Sequence, residues 1–469
     1  MFTKVLVANR GEIAVRIMRA LREMNIQSVA VYSDADKESL HVKKADYAYP
    51  LHGNRAVDTY LNMDKILKIA QDAGVDAVHP GYGFLAENQK FAEMLEKAGI
   101  IFIGPKSEVI SLMGNKIASR TMVSSVGVPT IPVTNSAITD IDMACKAACD
   151  IGFPILVKAA AGGGGVGMRI ARVPQDVQNS VEMAAKQAIS AFGDGAVFIE
   201  KYIERPRHIE IQIIADNYGN VVHLGERECS IQRRYQKIIE ESLSTVLTKE
   251  MRDKMGRMAV NIARKVNYRG VGTVEFMYDN GQIYFLEMNT RVQVEHPITE
   301  IITGIDIIKT QIQVAQGQPL PFTQEDVAFT GHAIECRICA EDPLNGFCPS
   351  PSTIVNYQEP GGAGVRVDSG VSEGCDITVY YDSMMAKLVA WGRDRDEAIS
   401  RMKRALHEYI IEGPKTNIPY LKAVIASEEF WCGNLSTKFV EENTYLLEDA
   451  KIFAERSWDT KQIPYPATS

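Results

Sequence analysis

Near the N-terminus, short apolar runs alternate with amphipathic stretches: Lys4-Val-Leu-Val-Ala8, a helical pattern from Ile13 to Met24, Ser28-Val-Ala-Val-Tyr32, a helical pattern from Asn62 to Ala73, and Ala77-Val-His79. Strand, helix, strand in this rhythm predicts a parallel sheet, because a crossover helix is what returns the chain to begin the next strand in the same direction. Helix-rich sequence then runs to Gly152, followed by the apolar strand Pro154-Ile-Leu-Val-Lys158. Beyond residue 330 strand-like stretches and turn clusters such as Pro360-Gly-Gly-Ala-Gly364 close on a helical pattern from Asp396 to Ile411.

The expected class is therefore α/β, with a Rossmann-like first domain over 1–114, a second domain over 115–330, a third over 331–446 and a tail over 447–469. A chain of 469 residues, 46% hydrophobic and 23% charged, has the apolar content for several cores. Arg10-Gly11-Glu12 supplies only a single glycine at the first strand-to-helix turn, so dinucleotide spacing is absent. A net charge of −8 offers no broad basic surface, which argues against nucleic acid and an anionic membrane as partners. The opening Met1-Phe-Thr-Lys-Val-Leu-Val-Ala-Asn-Arg10 does not read as a signal peptide, and no apolar run has the length of a membrane span. Eight cysteines without a dense framework fit a reducing compartment, so a cytosolic location is expected. Cys336-Arg-Ile-Cys339, with Cys348 nearby, lacks a second pair at finger spacing, and on a strand its two thiols point to opposite faces; no zinc site is expected there.

Three stretches carry chemistry. Pro154–Lys158 runs into Ala159-Ala-Ala-Gly-Gly-Gly-Gly-Val-Gly-Met168, whose unhindered backbone can come close to a ligand and cup phosphate oxygens with successive N–H groups. No Gly-Lys-Ser/Thr follows, so it is not a Walker loop. In Glu287-Met-Asn-Thr-Arg-Val-Gln-Val-Glu295, Glu287, Asn289, Arg291, Gln293 and Glu295 alternate with Met288, Thr290, Val292 and Val294. As an extended strand they face one way, offering oxygen ligands for a hard metal ion, a guanidinium fork for a planar anion and a carboxylate base. Upstream, Thr273–Met277 and Gln282–Glu287 read as a hairpin, and a three-residue turn with Gly281 left-handed is expected because it places Glu275 and Glu287 on one face for Mg²⁺. Third, His208-Ile-Glu-Ile-Gln-Ile213 alternates too, and Glu226 to Lys237 is dense in charge without helical periodicity, a supply of cations for a phosphate and a small anion.

With these residues in view, the chain resembles the biotin carboxylase family of ATP-grasp enzymes from Val5-Leu-Val-Ala-Asn-Arg-Gly-Glu-Ile13 to about residue 445. The supporting motifs are His79-Pro-Gly-Tyr-Gly-Phe-Leu85, Phe102-Ile-Gly-Pro105, the glycine loop ending at Met168, Glu287-Met-Asn-Thr-Arg291, Gln293-Val-Glu-His-Pro297 and Glu335-Cys-Arg337. The resemblance makes the second domain an ATP-grasp domain with a mobile lid at about 131–203, and the third a biotin carboxylase C-terminal domain. It implies that Lys116, Lys158, Gly163, Gly164, Gly165, Gly167, Met168, Glu200, Lys201, His208 and Gln232 hold ATP together with Glu275 and Glu287, and that Glu275, Glu287 and Asn289 hold magnesium or manganese. It also implies that Lys237, Arg291, Gln293 and the Val294 backbone hold bicarbonate, that Glu295 removes its proton, that Arg337 stabilises the biotin enolate, and that Tyr82 lies near biotin. The implied activity is ATP- and bicarbonate-dependent carboxylation of biotin through carboxyphosphate. The implied partners are a biotin carboxyl carrier protein, a carboxyltransferase subunit that selects the final acceptor, and a second copy of the chain.

Val166, Tyr235 and Glu240-Glu-Ser-Leu243 depart from the family pattern and bear on nucleotide affinity and lid motion. Two other readings are another ATP-grasp carboxylate ligase, which the joint presence of Arg291, Gln293, Glu295 and Arg337 disfavours, and a regulatory subunit that binds nucleotide without turnover. No Ala-Met-Lys-Met stretch occurs; Ser383-Met-Met-Ala-Lys387 and Arg401-Met-Lys-Arg404 come nearest, so biotin is expected on a separate carrier. Arg16 and Arg19, three apart on the first helix, are expected on a dimer face.

Overall fold

The computed structural model describes residues 1–134, 136–159, 168–192 and 195–455. They divide into two compact units, one formed by Met1–Ser119, Arg207–Glu275 and Glu287–Ser469, the other by Arg120–Pro206 and Phe276–Leu286.

The larger unit opens with strands β1 (Lys4–Val7), β2 (Gln27–Tyr32), β3 (Tyr47–Pro50), β4 (Ala77–His79) and β5 (Ile101–Phe102). They form a wholly parallel sheet in the order β3-β2-β1-β4-β5. Both faces are covered, which is why β1 is apolar at every position after Lys4: Val5 and Val7 enter one core with Ile13 and Ile17, while Leu6 and Ala8 enter another with Val29 and Val31. The first helix, Gly11–Glu23, and the helix Met63–Asp72 agree with the sequence pattern, and Asn62 caps the latter by accepting from the Lys65 N–H.

In the smaller unit β6 (Ile155–Ala159), β7 (Arg169–Ala171) and β8 (Val197–Lys201) form an antiparallel sheet in the order β7-β6-β8. Ile155, Val157, Val197 and Ile199 pack on Ala144 and Ala148 of one helix and Val177, Val181 and Ala184 of another. The period of two then turns Lys158 and Glu200 to the opposite face, where they pair.

The chain continues with β9 (Arg207–Ala215), β10 (Val221–Arg233), β11 (Gln236–Ser242), β12 (Gly270–Asp279), β13 (Gln282–Asn289) and β14 (His332–Cys339). An eight-stranded sheet runs β13-β12-β9-β10-β11-β14 and ends on the strands Met384–Gly392 and Val365–Ser369. Its register sets Glu240 opposite Glu335, and Arg337 opposite Lys387.

Four expectations are corrected. The β12–β13 turn has two residues, Asn280 and Gly281, both at positive φ (46° and 84°); asparagine tolerates this conformation, so the two-residue hairpin turn is available and the three-residue one is not used. The polar run from Glu287 to Glu295 is not one strand: β13 stops at Asn289, and a helix begins at His296 with Pro297 in its first turn, so Arg291, Gln293 and Glu295 lie on a loop. The helix expected to reach Ile411 ends at Glu408, and Ile410–Glu412 instead pairs with Asn356–Gln358. Arg16 is buried, and its guanidinium bridges Glu300 (2.9 Å) and Asp306 (2.7 Å) within the same chain; it is spent on internal packing rather than shown on the helix surface.

Candidate active site

Lys237, near the start of β11, organises the polar face of the large sheet. Its Nζ donates to Glu210 (2.6 Å), Glu295 (2.6 Å) and Glu275 (3.0 Å). Burial opposes a charged lysine, but Glu210, Glu275 and Glu295 outweigh it and hold the Lys237 ammonium well above its usual range. Glu210 points inward because β9 alternates Ile209, Ile211 and Ile213 on one face with His208, Glu210 and Gln212 on the other, and all six are buried.

Glu295 is fully buried at the entrance to the helix His296–Thr303. One carboxylate oxygen accepts from Lys237, while the other accepts from the Arg337 guanidinium at 3.0 Å. Burial favours the neutral acid, yet Lys237, Arg337 and Arg227 together hold Glu295 well below the usual carboxylate range. It is therefore an anion in a dry pocket, wedged between cations: a charge-stabilised acceptor for a proton delivered by a bound acid. Arg337 is itself anchored by donating from Nε to Glu240 at 2.6 Å.

Glu275 collects the next group. His208 Nε2 lies 2.9 Å from one oxygen, and Asn289 and Gln293 each donate an amide N–H to the other at 2.9 Å. The His208 ring also meets the Gln232 amide at 2.7 Å. Arg291 donates to Asn289 (3.0 Å) and Gln293 (3.2 Å), so the loop brings these side chains together although no strand runs through them, and its Nε donates to Glu87 at 2.8 Å.

Glu275, Glu287 and Asn289 present oxygen donors suited to a hard divalent cation. Burial and the charge of Glu275 raise the Glu287 carboxyl above its ordinary value, which is the strain a cation between two carboxylates relieves; the donor set fits magnesium or manganese on that ground. The tightest grouping of ligand atoms, His208, Glu210 and Glu275, does not include Glu287.

The remaining expected residues are distributed as follows. Lys116 is exposed at the start of the helix Lys116–Ser125, Tyr82 is half-buried with its hydroxyl donating to Glu12, and the half-buried Val294 uses its carbonyl to accept from Lys387. In the smaller unit Lys158 pairs with Glu200, Lys201 Nζ donates to the carbonyls of Gly152 (3.0 Å) and Phe153 (2.7 Å), and Met168 is half-buried just before β7. Gly163, Gly164, Gly165 and Gly167, with Val166, lie outside the described residues.

Several groups at this site had no assigned role in the sequence reading. Glu210 and Arg227 form a buried pair at 2.5 Å, and Arg227 also reaches Gln212, Thr273 and Thr299. Glu240 and Glu335 face each other across β11 and β14. Burial raises Glu240 to about 7 against the opposing pull of Arg337, and it raises Glu335 well above the usual range. The alternation around Glu210 was a usable signal; nothing local distinguishes Glu240 or Glu335. Cys336 and Cys339 are free thiols, Cys336 buried in the core.

Comparison with known proteins agrees with this geometry. Family models described as the biotin carboxylase N-terminal domain, the carbamoyl-phosphate synthase L chain ATP-binding domain and the biotin carboxylase C-terminal domain match residues 1–110, 115–323 and 335–442. One of the two pyruvate-carboxylase-type relatives, from Methanothermobacter thermautotrophicus, is 56% identical over 94% of this chain and 90% of its own length. Biotin carboxylase 1 of Bacillus subtilis is 53% identical over 94% of this chain and 98% of its own. Among solved structures, the biotin carboxylase domain dimer of Hydrogenobacter thermophilus 2-oxoglutarate carboxylase, in complex with MgADP, ADP and bicarbonate, superposes with a TM-score of 0.86 at 49% identity, covering 95% of this chain and 99% of that one.

Proposed function

The chain belongs to the biotin carboxylase family, whose members are ATP-dependent ligases, and we propose that it carboxylates biotin borne on a separate carrier protein, with the residues around Lys237 and Glu295 performing the chemistry. The observation that carries this reading is the single buried cluster in which Glu295 is held ionised by Lys237 and Arg337 beside Gln293 and Arg291.

Bicarbonate is a weak nucleophile. Lys237, Arg291, Gln293 and the Val294 backbone hold it, and Glu295 takes its proton as a carboxylate oxygen attacks the γ-phosphorus; the bond to the ADP oxygen breaks and carboxyphosphate forms. A magnesium or manganese ion held by Glu275, Glu287 and Asn289 supplies charge compensation for the triphosphate. Carboxyphosphate releases carbon dioxide and phosphate, phosphate takes the ureido N–H proton of biotin, and the nitrogen adds to carbon dioxide. Arg337 stabilises the negative charge on the ureido oxygen, and Tyr82 lines the biotin side. Lys116, Lys158, Glu200, Lys201, Met168, His208 and Gln232, with the glycine loop, hold the nucleotide, and closure of a lid at about 131–203 keeps water from carboxyphosphate.

The domain division follows the same reading: 1–114, 115–330 and 331–446, with a tail over 447–469. The chain acts as a homodimer, an assembly shared with the Hydrogenobacter domain dimer, and works with a biotin carboxyl carrier protein and a carboxyltransferase subunit that delivers the carboxyl group to an acyl-CoA or a 2-oxoacid. Eight unpaired cysteines support a cytosolic site of action, and among the described residues no helix is long and apolar enough to cross a membrane. The test is transfer of label from bicarbonate to biotin. Acid-labile carboxybiotin should form only when ATP and a divalent metal are both present, and its absence with either free biotin or a biotinylated carrier domain would refute the function.

A further inference from the structure

Lys387 has no exposed surface at all, and a lysine is kept in such a place only with partners for its charge. It lies on the strand Met384–Gly392 directly opposite Arg337 of β14, so the sheet register aims it toward the polar face. Its Nζ donates to the Val294 carbonyl at 2.9 Å and lies 3.1 Å from the Glu12 carboxylate. Glu12 is also buried, in the first turn of the helix Gly11–Glu23, and its other oxygen accepts from the Tyr82 hydroxyl. Gly370 presses its backbone against Gly11 and Glu12 so closely that any side chain there would collide with them, which fixes where Glu12 can stand. A continuous chain of contacts thus runs Tyr82, Glu12, Lys387, Val294, ending next to Glu295.

We infer that Lys387, anchored by Glu12, is a positioning residue for the bicarbonate site: it grips the Val294 carbonyl and so sets the backbone of the Gln293–Glu295 turn, tying that turn to the wall that carries Tyr82. The inference rests on the function proposed above. Lys387 touches neither substrate in this arrangement; it acts through Val294. The consequence is specific. Loosening the turn moves the Val294 backbone and the Gln293 and Glu295 side chains that surround bicarbonate, while Lys116, His208 and the other nucleotide-side groups keep their supports.

The experiment is steady-state ATP cleavage with free biotin, at varied bicarbonate and at varied ATP, for the full chain, Lys387→Met, Glu12→Gln and the double variant, with thermal melting measured on each. Lys387→Met should raise the bicarbonate KM by about tenfold or more and leave the ATP KM within about twofold, the signature of one substrate's subsite losing its geometry. Glu12→Gln should shift the bicarbonate KM in the same direction, and the double variant should lose no more than Lys387→Met alone, because the pair acts as a unit. If Lys387→Met does not fold, Glu12→Gln, which is nearly isosteric, carries the test. An unmoved bicarbonate KM, or equal losses for both substrates, overturns the inference. Absence of bicarbonate-dependent cleavage in the unaltered chain would instead count against the proposed function.

Discussion

The Glu295 carboxylate and the Arg337 guanidinium meet at 3.0 Å, although one stands at the mouth of a helix and the other in the middle of β14. Lys237 takes the other Glu295 oxygen at 2.6 Å, so the proposed base is flanked by the cation of the bicarbonate side and the cation of the biotin side. An anion between two cations remains ionised despite full burial. When bicarbonate and biotin enter, each cation has a new anionic partner to turn toward, and Glu295 is left free to accept a proton.

Replacing Arg337 by alanine should slow the biotin-dependent reaction by roughly 10² to 10³-fold, the range for a lost donor to a developing oxyanion. Nucleotide binding should change little, because Arg337 contacts Glu240 and Glu295 and none of the residues assigned to the nucleotide. Rates measured at saturating ATP, together with nucleotide titration of the same protein, decide it. A parallel loss of nucleotide affinity would make Arg337 a structural residue, and Arg337→Lys guards against misfolding by keeping a cation between the two carboxylates.

The parallel sheet was legible in the sequence because every strand of it is a short apolar run with turn residues on either side, and burial on both faces leaves no polar position to blur the pattern. The site was legible by residue type and partly by place. Alternation correctly turned His208, Glu210 and Gln212 to one face of β9. It misled after Asn289, where polar and apolar residues go on alternating in a loop: Val292 is buried as an anchor and Pro297 starts a helix, neither of which a period of two can express. The roles of Glu240, Glu335 and Lys387 come from cross-strand neighbours far away in sequence, Glu335 and Glu240 being 95 positions apart, so no local pattern could announce them.

Glu240 gives the fold a specific pH dependence. Its carboxyl is raised by burial from 4.5 to about 7, so the folded state binds that proton more tightly than the unfolded chain does. The stability this contributes is fully present below about pH 4.5 and is lost as the pH rises through about 7. Glu240→Gln, which cannot ionise, should therefore gain stability relative to the unaltered chain as pH is raised from about 5 to about 8. Paired denaturant titrations across that range test this; a stability difference that is flat with pH would show that Glu240 is ionised throughout.

The chain itself should not become biotinylated. Lys387 is buried in a strand and Lys403 is half-buried within the helix Arg395–Glu408, whereas a carrier lysine must swing from an exposed hairpin tip. Intact-mass analysis of protein produced with an active biotin ligase should show the unmodified mass, and a biotin-sized increment would contradict the assignment of biotin to a separate carrier. Turnover should accordingly be slow with free biotin and much faster with a biotinylated carrier domain, because docking raises the effective concentration of biotin at the site.

The most direct measurement is bicarbonate-dependent ATP cleavage by Glu295→Gln, with nucleotide binding determined on the same sample. Glutamine preserves the shape of the side chain and removes the base, so cleavage should fall by roughly 10² to 10⁴-fold while nucleotide affinity stays near that of the unaltered chain. Cleavage at an undiminished rate would contradict the assignment of Glu295 as the group that activates bicarbonate.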